Sequence, residues 1–169
     1  MKKLFPLCML CIFCLLFAGC GYSPEREQSD YVTLSELNAA LTDFTVTLPN
    51  SDWTASNVRR VYDEPSQDTL YYSLRIREVG SENEARLYIV TNPKYNFDES
   101  EFAAAKVKKS YYGNTLRYMT QDVGLNGNHV YKTHAVLYFA SGVKCYIRYE
   151  QETEYESNFF DMLEWWVKI

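Results

Sequence analysis

The sequence predicts an α+β domain: a single antiparallel sheet with helices packed on one face. Segments 69–79, 85–91, 115–122, 130–139 and 143–150 alternate apolar and polar residues with the period of two that a half-buried strand requires. Segments 33–41, 98–112 and 155–169 carry helical spacing or helix-end signals. The turns between successive strands are short, which makes neighbouring strands antiparallel.

Taken in order, "TLSELNAAL" places Thr33 and Glu36 at capping-box spacing and puts Leu34, Leu37 and Leu41 on one helical face. In "FTVTLP", Phe44, Val46 and Leu48 alternate with threonines, a strand stopped by Pro49, after which Trp53 seals one end of the core. Leu70, Tyr72, Leu74 and Ile76 then form the buried face of a strand that turns through "GSENE" into its hairpin partner "ARLYIVT".

"DESEFAAAKVKKSYY" reads as the central helix, with Asp98 as N-cap, Glu101 three residues on, lysines in the last turn and Gly113-Asn114 as the stop. Three strands come after it, separated by "GLNGN" and "ASG". "YESNFFDMLEWWVKI" closes the chain as a helix whose stripe is Tyr155, Phe159, Met162, Leu163 and Trp166.

Ahead of this body lies a different kind of segment. Lys2 and Lys3 precede an uncharged oily run over residues 4–19, the n-region and h-region of a secretory signal. The run is short of the roughly 20 apolar residues that a spanning helix needs, and Pro6 sits near its start. Cys8, Cys11 and Cys14 have the spacing of iron–sulfur ligands, but they lie in this oily run without a fourth thiolate beside them. Cys20 alone follows the small pair Ala18-Gly19. Here "LLFAGC" resembles the lipobox of bacterial lipoproteins, departing from it in carrying Phe17 where leucine is usual. The resemblance implies cleavage before Cys20 and its acylation; the alternative is an uncleaved anchor.

The organisation expected is therefore a signal peptide over 1–19, a lipidated Cys20 with a polar tether through residue 30, and one domain over 31–169. The helix and strand order after "FTVTLPNSDW" is similar to that of the PsbP-like fold. That resemblance implies an assembly or binding role rather than catalysis, and carries no functional residue with it.

Charge and cysteine content bound the function. Losing residues 1–19 removes two of the 17 basic side chains and none of the 22 acidic ones, so the net charge moves from −5 to −7. Such a domain has no electrostatic attraction to phosphate backbones, which argues against nucleic acid as a partner. With Cys20 acylated, Cys145 is the one remaining thiol, and the core rather than a disulfide must hold the fold.

The chemical candidates are few. His129 and His134 are the only histidines, and their separation of five places them on opposite faces of one strand, so no shared metal site is expected. Cys145 with a histidine is the one nucleophile pair available to an enzyme, yet Cys145 falls on the apolar face with Val143 and Ile147. The glycine-rich nucleotide motifs and G-x-S-x-G are absent, and no cofactor is implied. Glu150, Glu152, Glu154 and Glu156 form an acidic run that a helix dipole just beyond it accounts for.

Fifteen tyrosines are the compositional excess, and tyrosine pairs a flat apolar body with a polar tip suited to recognition. Strand parity places Tyr71, Arg75, Arg77, Lys144, Tyr146 and Arg148 on the polar face. The function expected is a lipid-anchored, extracytoplasmic, non-enzymatic module binding an envelope protein, peptide or glycan on that face. An envelope enzyme and a structural spacer are the alternatives.

Overall fold

The computed structural model describes residues 24, 26–124, 129–152 and 156–169, and the side chains of Glu156 and Ser157 lie outside that description. Eight strands form one antiparallel sheet: β1 (Glu27–Tyr31), β2 (Trp53–Asp63), β3 (Thr69–Glu78), β4 (Glu84–Val90), β5 (Val107–Tyr111), β6 (Asn114–Asp122), β7 (Tyr131–Tyr138) and β8 (Lys144–Gln151). Their spatial order is β1-β2-β3-β4-β8-β7-β6-β5. The sheet is thus two four-stranded meanders joined where β4 pairs with β8, with Leu87 opposite Ile147 at the seam.

The expected α+β class is corrected to mainly β. Only two α-helices stand among the described residues, α1 (Leu34–Ala40) of 7 residues and α2 (Glu156–Trp166) of 11, against a sheet of eight strands. The predicted central helix over 98–112 does not form. Asp98 does cap a turn, accepting a hydrogen bond from the Ser100 N–H at 3.0 Å, but that turn is one round of 3₁₀ helix, Ser100–Phe102. The chain then enters β5, because Tyr111 turns inward, is buried, and donates its hydroxyl to the Val167 carbonyl at 3.2 Å. Tyr112 and Gly113, at φ of 46° and 82°, make the two-residue hairpin loop between Tyr111 and Asn114. A pair of positive φ angles is a hairpin feature, and the glycine read as a helix stop serves it instead.

Two further strands leave no clear periodic signal in the sequence. β1 occupies residues assigned to the tether, pairing Glu27 with Asp63 and Tyr31 with Arg59, so the sheet begins within the expected linker. β2 runs on from Trp53. Conversely, residues 44–49 contribute only an isolated bridge, Thr45 with Lys168. The capping box of α1 forms as read, with Glu36 N–H donating to Thr33 Oγ1 at 3.1 Å and Thr33 N–H to Glu36 Oε2 at 2.6 Å.

One sheet face carries the main core. Leu74, Ile76, Leu87, Ile89, Leu116, Leu137 and Ile147 are buried there under Leu37 of α1 and Phe159, Leu163 and Trp166 of α2. The segment after α1 completes this layer: both polar atoms of the Asn38 amide bond the Val46 backbone at 2.8 Å, closing what would otherwise be an unpaired strand edge. Trp166 meets Trp53 at 6.0 Å and Tyr149 edge-on at 4.9 Å. The opposite, outer face is crossed by the connection from β4 to β5. Since β4 lies at the centre of the sheet and β5 at its far edge, that connection has to pass over β8 and β7.

Candidate functional site

Register fixes which side chains line up across the outer face. One row runs Tyr31, Arg59, Ser73, Tyr88, Tyr146, Val136 and Arg117, each residue directly opposite the next. The row beside it runs Ser56, Arg75, Arg86, Arg148 and His134. Three guanidiniums therefore stand on adjacent strands with only their neighbours' width between them. Like charges in direct cross-strand opposition cost a few tenths to 1 kcal/mol each, so sheet stability does not explain this row.

Arg59 joins the row through a β-bulge. Before it, Thr54 and Ser56 share the outer face with Arg77 and Arg75; after it, Arg59 and Val61 share that face with Ser73 and Tyr71. The parity changes at Asn57 and Val58, where Asn57 takes a φ of 52° and Val58 turns into the main core. Without that extra residue Arg59 would point into the core.

Carboxylates neutralise this surface unevenly. Arg148 has two, Glu150 at 2.6 Å and Glu101 at 2.7 Å. Arg75 and Arg86 share a single one, Glu84, at 3.3 and 2.8 Å. Arg59 donates to the Tyr31 hydroxyl at 2.5 Å and lies 4.6 Å from that ring's centre, and no ion pair of the described residues includes it. Positive charge is thus in surplus at the β2–β4 end. There Asn57, Arg59, Ser73, Arg75, Arg86 and Tyr88 line an open groove of about 330 Å³. A second hollow of about 310 Å³ shares Arg59 and Ser73 with it and extends to β1.

The other end of the face is covered. Phe97 stacks on Tyr146 at 4.6 Å and Phe102 tilts against it at 5.1 Å, so Tyr146 is 0% exposed. The Glu99 carboxylate accepts from Lys144 at 2.9 Å and from the Tyr146 hydroxyl. Burial opposes the Glu99 charge, and those two hydrogen bonds outweigh it, holding the carboxyl below its ordinary value. Tyr95 stacks on Tyr71 at 5.7 Å and donates to Glu27 at 2.6 Å.

The six residues expected to form a binding face all lie on the outer face, but they do not form one open patch. Tyr146 sits in a second small core with Val90, Phe102 and Val136, Tyr71 packs beside it, and Lys144 and Arg148 hold the covering loop. Arg75 alone reaches the groove; Arg77 is exposed at the sheet's end near Glu82. Arg86 and Tyr88 were missed although "ARLYIVT" shows the parity that turns them outward. Arg59 had no such signal, because its orientation depends on the bulge.

The remaining candidates separate. Cys145 is fully buried in the main core, where desolvation pushes its thiol up, while His134 is on the other face of the sheet opposite Arg148. His129 pairs with Asp122 at 2.6 Å outside the sheet's ladder. Cys8, Cys11, Cys14 and Cys20 lie outside the described residues, as does Glu154. Glu150 is engaged by Arg148 and Lys132.

His134 sits beneath the covering loop, 5.6 Å from the Phe102 ring, its Nε2 buried without a hydrogen bond and 4.0 Å from Glu101. Burial pulls its pKa below the ordinary value, and the Glu101 charge only partly offsets that. The unfolded chain then takes up a proton near pH 6.5 while the folded one resists, so stability is full above that pH and falls as pH drops below it. Urea midpoints between pH 7.5 and 5 should show this slope, and His134→Gln should flatten it; equal slopes in both proteins would exclude the assignment.

No protein-family model, no curated protein and no solved structure matches this chain. Functional reading therefore rests on the geometry of the outer face.

Proposed function

We propose that this chain is a lipid-tethered, extracytoplasmic binding module without catalytic activity, whose ligand occupies the open groove of the outer face. The observation that carries the reading is the uneven charge of that face: the sheet gathers Arg59, Arg75 and Arg86 around one shared carboxylate and leaves the groove open to solvent. Such a row stabilises nothing within the fold, and local rules broken without structural gain are expected at functional sites. No nucleophile and base share the groove, which favours binding over catalysis.

The anchor is argued from the sequence. Cys20 behind Ala18-Gly19 supplies the acylation point, and only residues 21–26 then separate it from β1, a reach of at most about 20 Å. The groove would work close to the membrane surface. Cells fed a fatty acid analogue should label the wild-type protein and not Cys20→Ala. With the anchor intact, Arg59→Ala/Arg86→Ala should lose the envelope cross-links that the wild type makes, at an unchanged melting temperature. Unlabelled wild type would sink the anchor, and undiminished cross-links would sink the groove.

A further inference from the structure

We infer that the groove binds an extended, acidic peptide segment bearing an aromatic residue, chemistry that the protein's own covering loop already displays beside it. This rests on the proposed binding role of the groove and specifies its ligand.

Residues 95–102 read "YNFDESEF", and they lie on the outer face as a bound peptide would. Their carboxylates meet cations of the sheet, Glu99 on Lys144 at 2.9 Å and Glu101 on Arg148 at 2.7 Å. Their rings meet tyrosines, Phe97 lying 4.6 Å from Tyr146 and 5.6 Å from Tyr88. The face thus recognises one class of partner in the half that is covered: carboxylates two residues apart, flanked by aromatic rings.

The uncovered half repeats these elements without a partner of its own. Arg86 stands directly opposite Arg148, the residue that receives Glu101, and Tyr88 directly opposite Tyr146, the residue that receives Phe97. Arg59 and Arg75 add two more guanidiniums, which engage carboxylates in a planar, two-point manner that lysine does not. Tyr31 lends an exposed ring at the far end. The groove and its extension draw on β1, β2, β3 and β4, and four strands set about 4.8 Å apart span roughly 14 Å, the length of about four extended residues. Glu84 lies at the rim and bonds Arg75 and Arg86 now, a contact an incoming carboxylate would share or replace.

The test uses the soluble domain from residue 21 and a fluorescent peptide of sequence YNFDESEFAA. Its binding by polarisation is expected to weaken at least tenfold in Arg59→Ala/Arg86→Ala, and at least tenfold again for the wild type when the peptide's Glu99 and Glu101 are Gln. Equal binding of the amide peptide would overturn the inference. So would loss of binding in Lys144→Ala with none in Arg59→Ala/Arg86→Ala, since the peptide would then be replacing the covering loop rather than filling the groove. Arginine-dependent binding of inorganic phosphate or polygalacturonate, with none of the peptide, would overturn the peptide class while leaving the groove a ligand site. Binding of none of these probes would overturn the inference, and failure of the in-cell cross-linking by the anchored protein would then remove the groove itself.

Discussion

Trp166→Ala should remove about 3–5 kcal/mol of stability, the largest single effect expected in this chain. Trp166 is fully buried, the largest side chain in the main core, and it ties the last turn of α2 to β8 through Tyr149 and to β2 through Trp53. Nothing nearby can collapse into the space it leaves: its neighbours are themselves rings fixed on the sheet or on α2. The loss also spreads, because Val167 and the Thr45–Lys168 bridge come directly after it and hold the strand-like segment after α1. A domain of this size has about 5–15 kcal/mol in hand, so the variant should melt far below the wild type or fail to fold at 37 °C. Chemical denaturation midpoints measure this. A change below 1 kcal/mol would mean that α2 does not close the core.

Tyr146→Ala is expected to be the second largest, at about 3 kcal/mol, and it separates a binding role for this tyrosine from a packing one. Strand parity marks Tyr146 as an outward, recognition-type residue, whereas Phe97 and Phe102 cover it completely. Removing the ring opens a void beneath the covering loop and leaves Glu99 with Lys144 as its remaining partner. Tyr146→Phe keeps the packing and loses one hydrogen bond to a carboxylate, which is worth about 1.5–3 kcal/mol. Both variants should show faster amide exchange across residues 97–102, with the alanine variant also destabilised globally. A Tyr146→Ala protein of wild-type stability would restore the residue to the solvent-facing surface.

How far the sequence is legible depends on the range of the interactions involved. The capping box of Thr33 and Glu36, the β3–β4 hairpin and the alternation of β8 are local, set by residues a few positions apart, and they stand where the pattern puts them. The central helix failed because its signals were equally local while the deciding contacts were not: Tyr111 is drawn inward by the Val167 carbonyl, and β5 by its ladder with β6. β1 reads as a polar tether because, as an edge strand, it has nearly every side chain exposed and is held by its backbone pairing with β2. The outer face was half legible. Parity identifies Arg75, Lys144 and Arg148, but neither the bulge that turns Arg59 outward nor the loop that buries Tyr146 leaves a periodic trace.

The way the two meanders join has a kinetic consequence. Within each meander every strand pairs with its neighbour in sequence, contacts that close quickly, whereas the β4–β8 ladder must wait until the whole second meander has been made. The covering loop belongs to this late step, since it leaves β4 and anchors on Lys144, Tyr146 and Arg148 of β8. Until then β4 is an unpaired edge rich in Leu87, Ile89 and Val90, the stretch of this chain most exposed to pairing with another copy. Aggregation during refolding should therefore depend on how fast the second meander arrives, and slowing it by strand-weakening changes in β6 or β7 should cost yield before it costs stability.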